Sequence, residues 1–197
     1  MYYFYSDGAS RNNGKKDISR GVYGSFGSYF TDYEGNVIKR FSESYPNVTN
    51  NQMELFGFIR PIMYIMSNWA ELTNNDPDKT IHIVSDSQYL IKGINEWMSG
   101  WKSRGWRNST GRMVDNLDLW LIINKIIINQ NFNMTFEWVR GHNKVFEPYS
   151  NEYFNDLCDK LANKCIDKFI AGDQKKKYTF LEQVDQIKND LKVQGVV

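Results

Sequence analysis

Asp7 and Asp86 are the residues around which chemistry can be built. Each follows an apolar, strand-forming run, in Tyr2-Tyr-Phe-Tyr-Ser-Asp-Gly8 and in Ile81-His-Ile-Val-Ser-Asp-Ser-Gln-Tyr89. Buried strands present ligands just past their carboxyl ends, so two neighbouring strands would deliver both carboxylates to one edge. Two further acids, Glu54 and Asp159, fall in segments of helical periodicity. Four carboxylates at one end of a sheet raise one another's pKa values unless a cation neutralises them. Hard oxygen ligands suit Mg²⁺ or Mn²⁺, and hydrolysis assisted by two such ions is the chemistry expected. Any one of these acids alone reads as a turn former, a helix cap or a complement to a helix dipole; Glu54 is expected in the first turn of its helix. It is the set that points to a site.

The elements that must position them follow from periodicity. Gly21 to Phe30 and Asn36 to Tyr45 read as a hairpin closed by Asp32-Tyr-Glu-Gly35, and with the first strand they make an antiparallel meander. A turn-rich loop is expected from Gly8 to Gly14, followed by a polar segment from Lys15 to Arg20. Thr49, Asn50 or Asn51 caps a helix whose core face carries Leu55, Phe58, Ile59, Ile62, Met66 and Trp69. Pro61 removes the bond to the Gly57 carbonyl, which predicts a kink or break there. The Asp86 strand leads into a short helix from Ser87 to Glu96, and Leu117 to Ile128 is an apolar helix capped by Asp115 or Asn116. Met134 to Arg140 is a fifth strand; Asn151 to Ala171 is a helix with Leu157, Leu161, Cys165 and Phe169 on one stripe. These elements make an α/β fold, a mixed five-stranded sheet flanked by helices.

A chain of 197 residues with 41% hydrophobic content is long enough for one well-packed domain, expected over 1–172. Residues 173–197 form an extension whose Phe180, Leu181, Val184, Ile187 and Leu191 have helical spacing. With 24 Lys and Arg against 23 Asp and Glu, any nucleic-acid surface must be a local basic patch. Trp97 to Arg112 supplies one, with Lys102, Arg104, Arg107 and Arg112 interleaved with tryptophans and no acid. Cys158 and Cys165 lie two helical turns apart, too far for a disulfide, and read as reduced core residues; a zinc site is not expected. With neither a signal peptide nor an apolar run of membrane length in the sequence, a cytoplasmic, monomeric protein with no membrane partner is expected.

Seven blocks, in order, resemble the ribonuclease H family of type 1: Asp7-Gly8, Thr49 to Leu55, Asp86 to Tyr89, Trp97 to Trp106, Asp118 to Trp120, Trp138 to His142 and Asn155 to Ala162. The resemblance covers Tyr3 to about Cys165 and implies a ribonuclease H-like fold, with strands 4 and 5 parallel to strand 1. It implies an endonuclease that hydrolyses the RNA strand of RNA/DNA hybrids with two Mg²⁺ ions, Mn²⁺ being a possible substitute, and leaves 5′-phosphate and 3′-hydroxyl ends. By the same resemblance Asp7 bridges both ions, Asp159 completes the water-activating site, and Glu54 and Asp86 hold the ion facing the leaving oxygen. His142 looks like the family's mobile-loop histidine, suited by its near-neutral pKa to proton relay or product release. Asn13, Thr49, Asn50, Asn51 and Gln88 match the block that meets the hybrid's minor groove, where amides both donate to and accept from a 2′-hydroxyl. Trp101, Lys102, Arg104, Trp106 and Arg107 match a basic protrusion that holds the DNA strand, an element that favours a self-sufficient enzyme over a reverse-transcriptase domain.

The chain departs from the family pattern in the loop after His142, which is long. The Asn155 to Ala162 register, which selects Asp159, is preferred to one that selects Asp156. His82, inside a strand, reads as structural. Two other readings share these residues: a hybrid- or duplex-binding module with lapsed catalysis, and a structure-selective DNA nuclease with no use for the 2′-hydroxyl-reading amides.

Overall fold

A computed structural model describes residues 1–12, 21–128, 131–141, 146–172 and 178–193. The sheet is built from β1 (Tyr2–Arg11), β2 (Tyr23–Asp32), β3 (Val37–Pro46), β4 (Thr80–Ser85) and β5 (Asn133–Trp138), in the order β3-β2-β1-β4-β5. The first three strands pair antiparallel, while β4 runs parallel to β1 and β5 parallel to β4, as expected. The hairpin between β2 and β3 closes where Asp32 accepts from the Glu34 and Asn36 amides, both at 2.9 Å. β1 is longer than its apolar run predicts. Gly8 to Arg11 pairs with β2 as far as Tyr23, so Asp7 lies inside the strand and the turn-rich loop begins later.

Helix α1 (Asn50–Ser67) starts from a capping box in which Thr49 Oγ1 accepts from the Gln52 amide and the Gln52 side chain accepts from Thr49 N. Glu54 therefore sits one turn into the helix, not in its first turn, because the cap is Thr49. The break expected at Pro61 does not occur: α1 continues to Ser67 before α2 (Trp69–Thr73) begins. The Gly57 carbonyl that Pro61 cannot serve accepts instead from Ser28 Oγ on β2. After β4 the chain forms α3 (Gln88–Lys92), a π-helical turn (Gly93–Trp97) and α4 (Met98–Ser103), so the helix expected to end at Glu96 runs further. Asn116 precedes α5 (Leu117–Ile127) in a left-handed conformation, φ 56°, and makes no side-chain cap; its amide donates to Tyr89 Oη instead.

The sheet has two covered faces. On one, α1, α3, α4, α5 and α7 (Phe180–Leu191) enclose the main core around Phe4, Phe58, Ile83 and Trp120. The C-terminal extension is thus part of the body: Phe180 meets the rings of Tyr45 at 5.6 Å and Phe56 at 5.0 Å. On the other face α6 (Asn151–Ile170) lies across β1 and β2. Its buried residues are Phe154, Asn155, Cys158, Ala162, Cys165 and Ile166, which corrects the predicted stripe through Leu157, Leu161 and Phe169. The face turns because α6 presses onto Gly27, where a Cβ would stand 2.8 Å from Ala162 N. Small or polar contacts fix this approach, among them Ser25 Oγ donating to the Ala162 carbonyl at 2.6 Å. Both cysteines are reduced and buried, as expected. Among the described residues no helix is long and apolar enough to cross a membrane.

Candidate active site

Parallel pairing of β1 with β4 sets the site. Tyr5 and Val84 are partners, so Asp7, still within β1, and Asp86, just past the end of β4, each two residues further on, stand side by side. Glu54 comes from above: β1 passes so close to α1 that a Cβ on Gly8 would stand 2.7 Å from Glu54 N and 2.9 Å from its Cγ. Asp159 arrives from the opposite layer on α6. The four carboxylates line one open cleft of about 460 Å³, together with Gly8 to Arg11, Asn50 and Asn163. Asp156, the alternative register, is ion-paired with Lys160 at 2.6 Å and is not among the cleft residues.

The electrostatics of the cleft are those of a crowded negative charge. Asp7 is only 6% exposed, and burial followed by the charges of Asp86, Asp159 and Glu54 pushes its carboxyl up to about 9, against one opposing bond from the Gly8 amide. Burial also raises Glu54, and hydrogen bonds from Ser87 and Asn50 pull it back. Cys158, fully buried on α6 beneath Asp7, has its thiol raised by burial and by that charge. Asp159 Oδ1 accepts from Asn163 Nδ2 at 2.7 Å. Trp138 Nε1 donates to the Asp86 carbonyl at 2.9 Å, tying the end of β5 to the strand end that carries the acid. Gly141 lies so close that a Cβ there would meet Asp86 Oδ2.

Among the described residues no three His, Cys, Asp or Glu side chains stand as a ready-made metal cage. The donor set nonetheless fits a divalent cation: four hard oxygen ligands share a cleft, and one of them, Asp7, is pushed up to about 9 by burial and by the charge of the rest. A cation placed there would reverse that cost.

The other predicted site residues fall into groups. His142 and Asn13 lie outside the described residues. Asn50 is on the cleft wall, with its amide on Glu54; Thr49, Asn51 and Gln88 are exposed at the two helix starts that flank the cleft. Lys102, in the last turn of α4, and Arg104 and Arg107, on the segment after it, are exposed. Trp101 and Trp106 are not: they are 9% and 8% exposed, and Trp101 packs on Trp120 at 5.1 Å. Their rings support the basic segment from beneath instead of offering a surface, because burying a tryptophan there anchors a loop with little other apolar content. His82 bonds to Glu137 at 2.7 Å and to Thr135, both on the neighbouring β5, and does not line the acidic cleft, which agrees with the structural role expected.

Ser87 and Asn163 were not predicted for the site. Ser87 is 4% exposed; it caps α3 by accepting from the Leu90 amide and donates to Glu54 Oε2 at 2.6 Å. Its capping position is legible after a strand and before a helix, but the bond to Glu54 joins residues 33 apart and has no local signal. Asn163 was visible only as the residue one helical turn after Asp159.

A β3-β2-β1-β4-β5 mixed sheet bearing an acidic cleft beside β1 and the end of β4 defines the ribonuclease H-like class of α/β folds. The chain belongs to the ribonuclease H family, whose model matches residues 1–167. It is 34% identical over 164 residues to Ribonuclease H of Ruthia magnifica subsp. Calyptogena magnifica, covering 83% of this chain and 94% of that protein. It is likewise 34% identical over 166 residues to Ribonuclease H of Thiobacillus denitrificans, covering 84% and 93%. Among solved structures the fold resembles the solution structure of the PFV RNase H domain, with a TM-score of 0.64, 20% identity and coverage of 83% and 93%. It also resembles LC11-RNase H1, determined in complex with RNA/DNA hybrid, with a TM-score of 0.60, 19% identity and coverage of 86% and 99%. As a family member the chain is an enzyme of the ribonuclease H kind.

Proposed function

We propose that this protein is an endonuclease that hydrolyses the RNA strand of RNA/DNA hybrids and leaves 5′-phosphate and 3′-hydroxyl ends. The observation that carries the reading is the convergence of Asp7, Glu54, Asp86 and Asp159, from four separate elements, on one cleft. Asp7, buried at the centre, would hold both of two Mg²⁺ ions, with Asp159 completing one position and Glu54 and Asp86 the other; Mn²⁺ meets the same donor chemistry. When bound, such ions supply an activated water and stabilise the charge that develops on the leaving oxygen. The protein's own part is to keep four carboxylates within one cleft and oriented. Hydrogen bonds to Glu54 and Asp159 serve that end. His142 would move a proton or assist product departure.

Substrate class follows from the surroundings. Asn50, Asn51, Gln88, Thr49 and Asn13 would read the minor groove of the hybrid, where the 2′-hydroxyl separates RNA from DNA. Lys102, Arg104 and Arg107 would grip the backbone of the DNA strand, with Trp101 and Trp106 holding their segment in shape. All four acids come from one chain, which supports a monomeric enzyme. Residues 1–172 form the catalytic body on this reading, and α7 is a packed extension of it.

The test is cleavage of an end-labelled RNA/DNA hybrid with Mg²⁺, beside duplex DNA, duplex RNA and single strands, for the native protein and Asp86→Asn. Cutting of the hybrid's RNA strand alone, abolished in Asp86→Asn with binding retained, is the expected result. Binding of the hybrid with no cutting by the native protein under Mg²⁺ or Mn²⁺ would overturn the proposal.

A further inference from the structure

Each carboxylate oxygen of Glu54 has its own donor. Asn50 Nδ2, one turn earlier on α1, donates to Oε1 at 2.7 Å. Ser87 Oγ, at the junction of β4 and α3, donates to Oε2 at 2.6 Å. Ser87 is itself fixed twice over, since its hydroxyl accepts from the Leu90 amide at 3.1 Å and its own amide donates to Ser85 Oγ at 3.2 Å. Below, the Gly8 backbone closes against Glu54 Cγ. A long, flexible carboxylate is thereby clamped at its stem and at both oxygens, which is the arrangement that orients a ligand before its ion arrives.

We propose that Asn50 and Ser87 are positioning residues for Glu54, one for each carboxylate oxygen, and that together they set how tightly the free enzyme takes up a divalent cation. The inference rests on the reading of Glu54 as a metal ligand. It gives Asn50 a task separate from reading the minor groove: its amide has a second N–H and a carbonyl still to offer a ribose hydroxyl while the first N–H stays on Glu54. Each carboxylate oxygen has two lone pairs, so a donor and a cation can share it. Ser87 thus joins the sequence block that follows Asp86 to the acid on the neighbouring helix.

The experiment measures Mn²⁺ binding to the free protein by electron paramagnetic resonance, with no nucleic acid present, so that substrate contacts cannot contribute. Asn50→Ala and Ser87→Gly are each expected to weaken binding about tenfold, the scale for loss of a group that orients a ligand. Glycine is tolerated at a helix cap, so Ser87→Gly removes the donor to Glu54 with little loss of capping. Ser87→Thr, which restores a hydroxyl, is expected to bind within about twofold of native on the same scale. Glu54→Gln supplies the reference. If it weakens binding while Asn50→Ala and Ser87→Gly bind as native, the positioning role is wrong and the metal reading survives. If Glu54→Gln itself binds as native, the metal reading of Glu54 fails first. A fall in melting temperature for the Ser87 variants with unchanged Mn²⁺ affinity reduces Ser87 to a helix cap and overturns its part.

Discussion

Ser28 Oγ, on the second strand, donates to the carbonyl of Gly57 in the middle of α1 at 3.0 Å. That carbonyl is the one Pro61 leaves without its helical donor. The hydroxyl is buried and also shares a 3.0 Å bond with Ser6 Oγ, so three elements are pinned at the point where the helix would otherwise break. Ser28→Ala leaves the carbonyl buried and unpaired and is expected to cost about 1–3 kcal/mol. Urea unfolding measures it. Ser28→Ala combined with Pro61→Ala, which restores the helical bond, should recover most of that loss; no recovery would mean that the serine matters for another reason.

Asp7 makes stability depend on pH in a direction opposite to that of an ion-paired acid. Its carboxyl lies at about 9 in the folded state against 3.8 when unperturbed, so between these values the folded state binds the extra proton. In the absence of a divalent cation the stability it contributes is complete below 3.8 and is lost as pH rises toward about 9. Asp7→Asn removes the titration and should be the more stable protein at pH 7, by about 1–3 kcal/mol, the scale of a buried group relieved of its penalty. Denaturation profiles in chelator and in Mg²⁺ test this. Parallel profiles for the two proteins would refute it, and Mg²⁺ should narrow the gap.

Gly27 decides where Asp159 stands. A Cβ there meets the Cys158 carbonyl and lies 2.8 Å from Ala162 N, so Gly27→Ala must push α6 away from the sheet. Overpacking of this kind costs about 1–3 kcal/mol. The displaced helix carries Asp159, so hybrid cleavage should fall more than at a variant of similar stability loss elsewhere, such as Ser28→Ala. Equal activity at equal stability would show that the approach of α6 is not needed for the site.

Phe180, packed on Tyr45 and Phe56, makes α7 part of the core. Phe180→Ala is expected to cost about 3–5 kcal/mol, read by thermal or urea unfolding. Below its melting temperature the variant should cleave hybrid at the native rate, because no residue of α7 lines the acidic cleft.

Lys102, Arg104 and Arg107 should act through phosphate charge alone. Each changed to Ala is expected to weaken hybrid binding at all sequences and to reduce the slope of log affinity against log salt by about one. Filter binding across a salt series checks this; an unchanged slope for all three would place the DNA strand elsewhere.

The sequence by itself determined the order of elements, the sheet with its antiparallel meander, the capped start of α1 and the four acids. These are local matters: apolar alternation, capping residues and strand ends are written in neighbouring residues. It left open what depends on how layers meet. Pro61 does not break α1 because a hydroxyl from another strand serves Gly57. The buried face of α6 is set by how closely it presses on Gly27, a contact invisible in its own periodicity. Trp101 and Trp106 turn inward because Trp120 and the surrounding core receive them. The clamp on Glu54 was equally out of reach, since Ser87 meets it across 33 residues of chain. Side-chain hydrogen bonds and close backbone approaches are made between elements, and only their packing decides which partners come within reach.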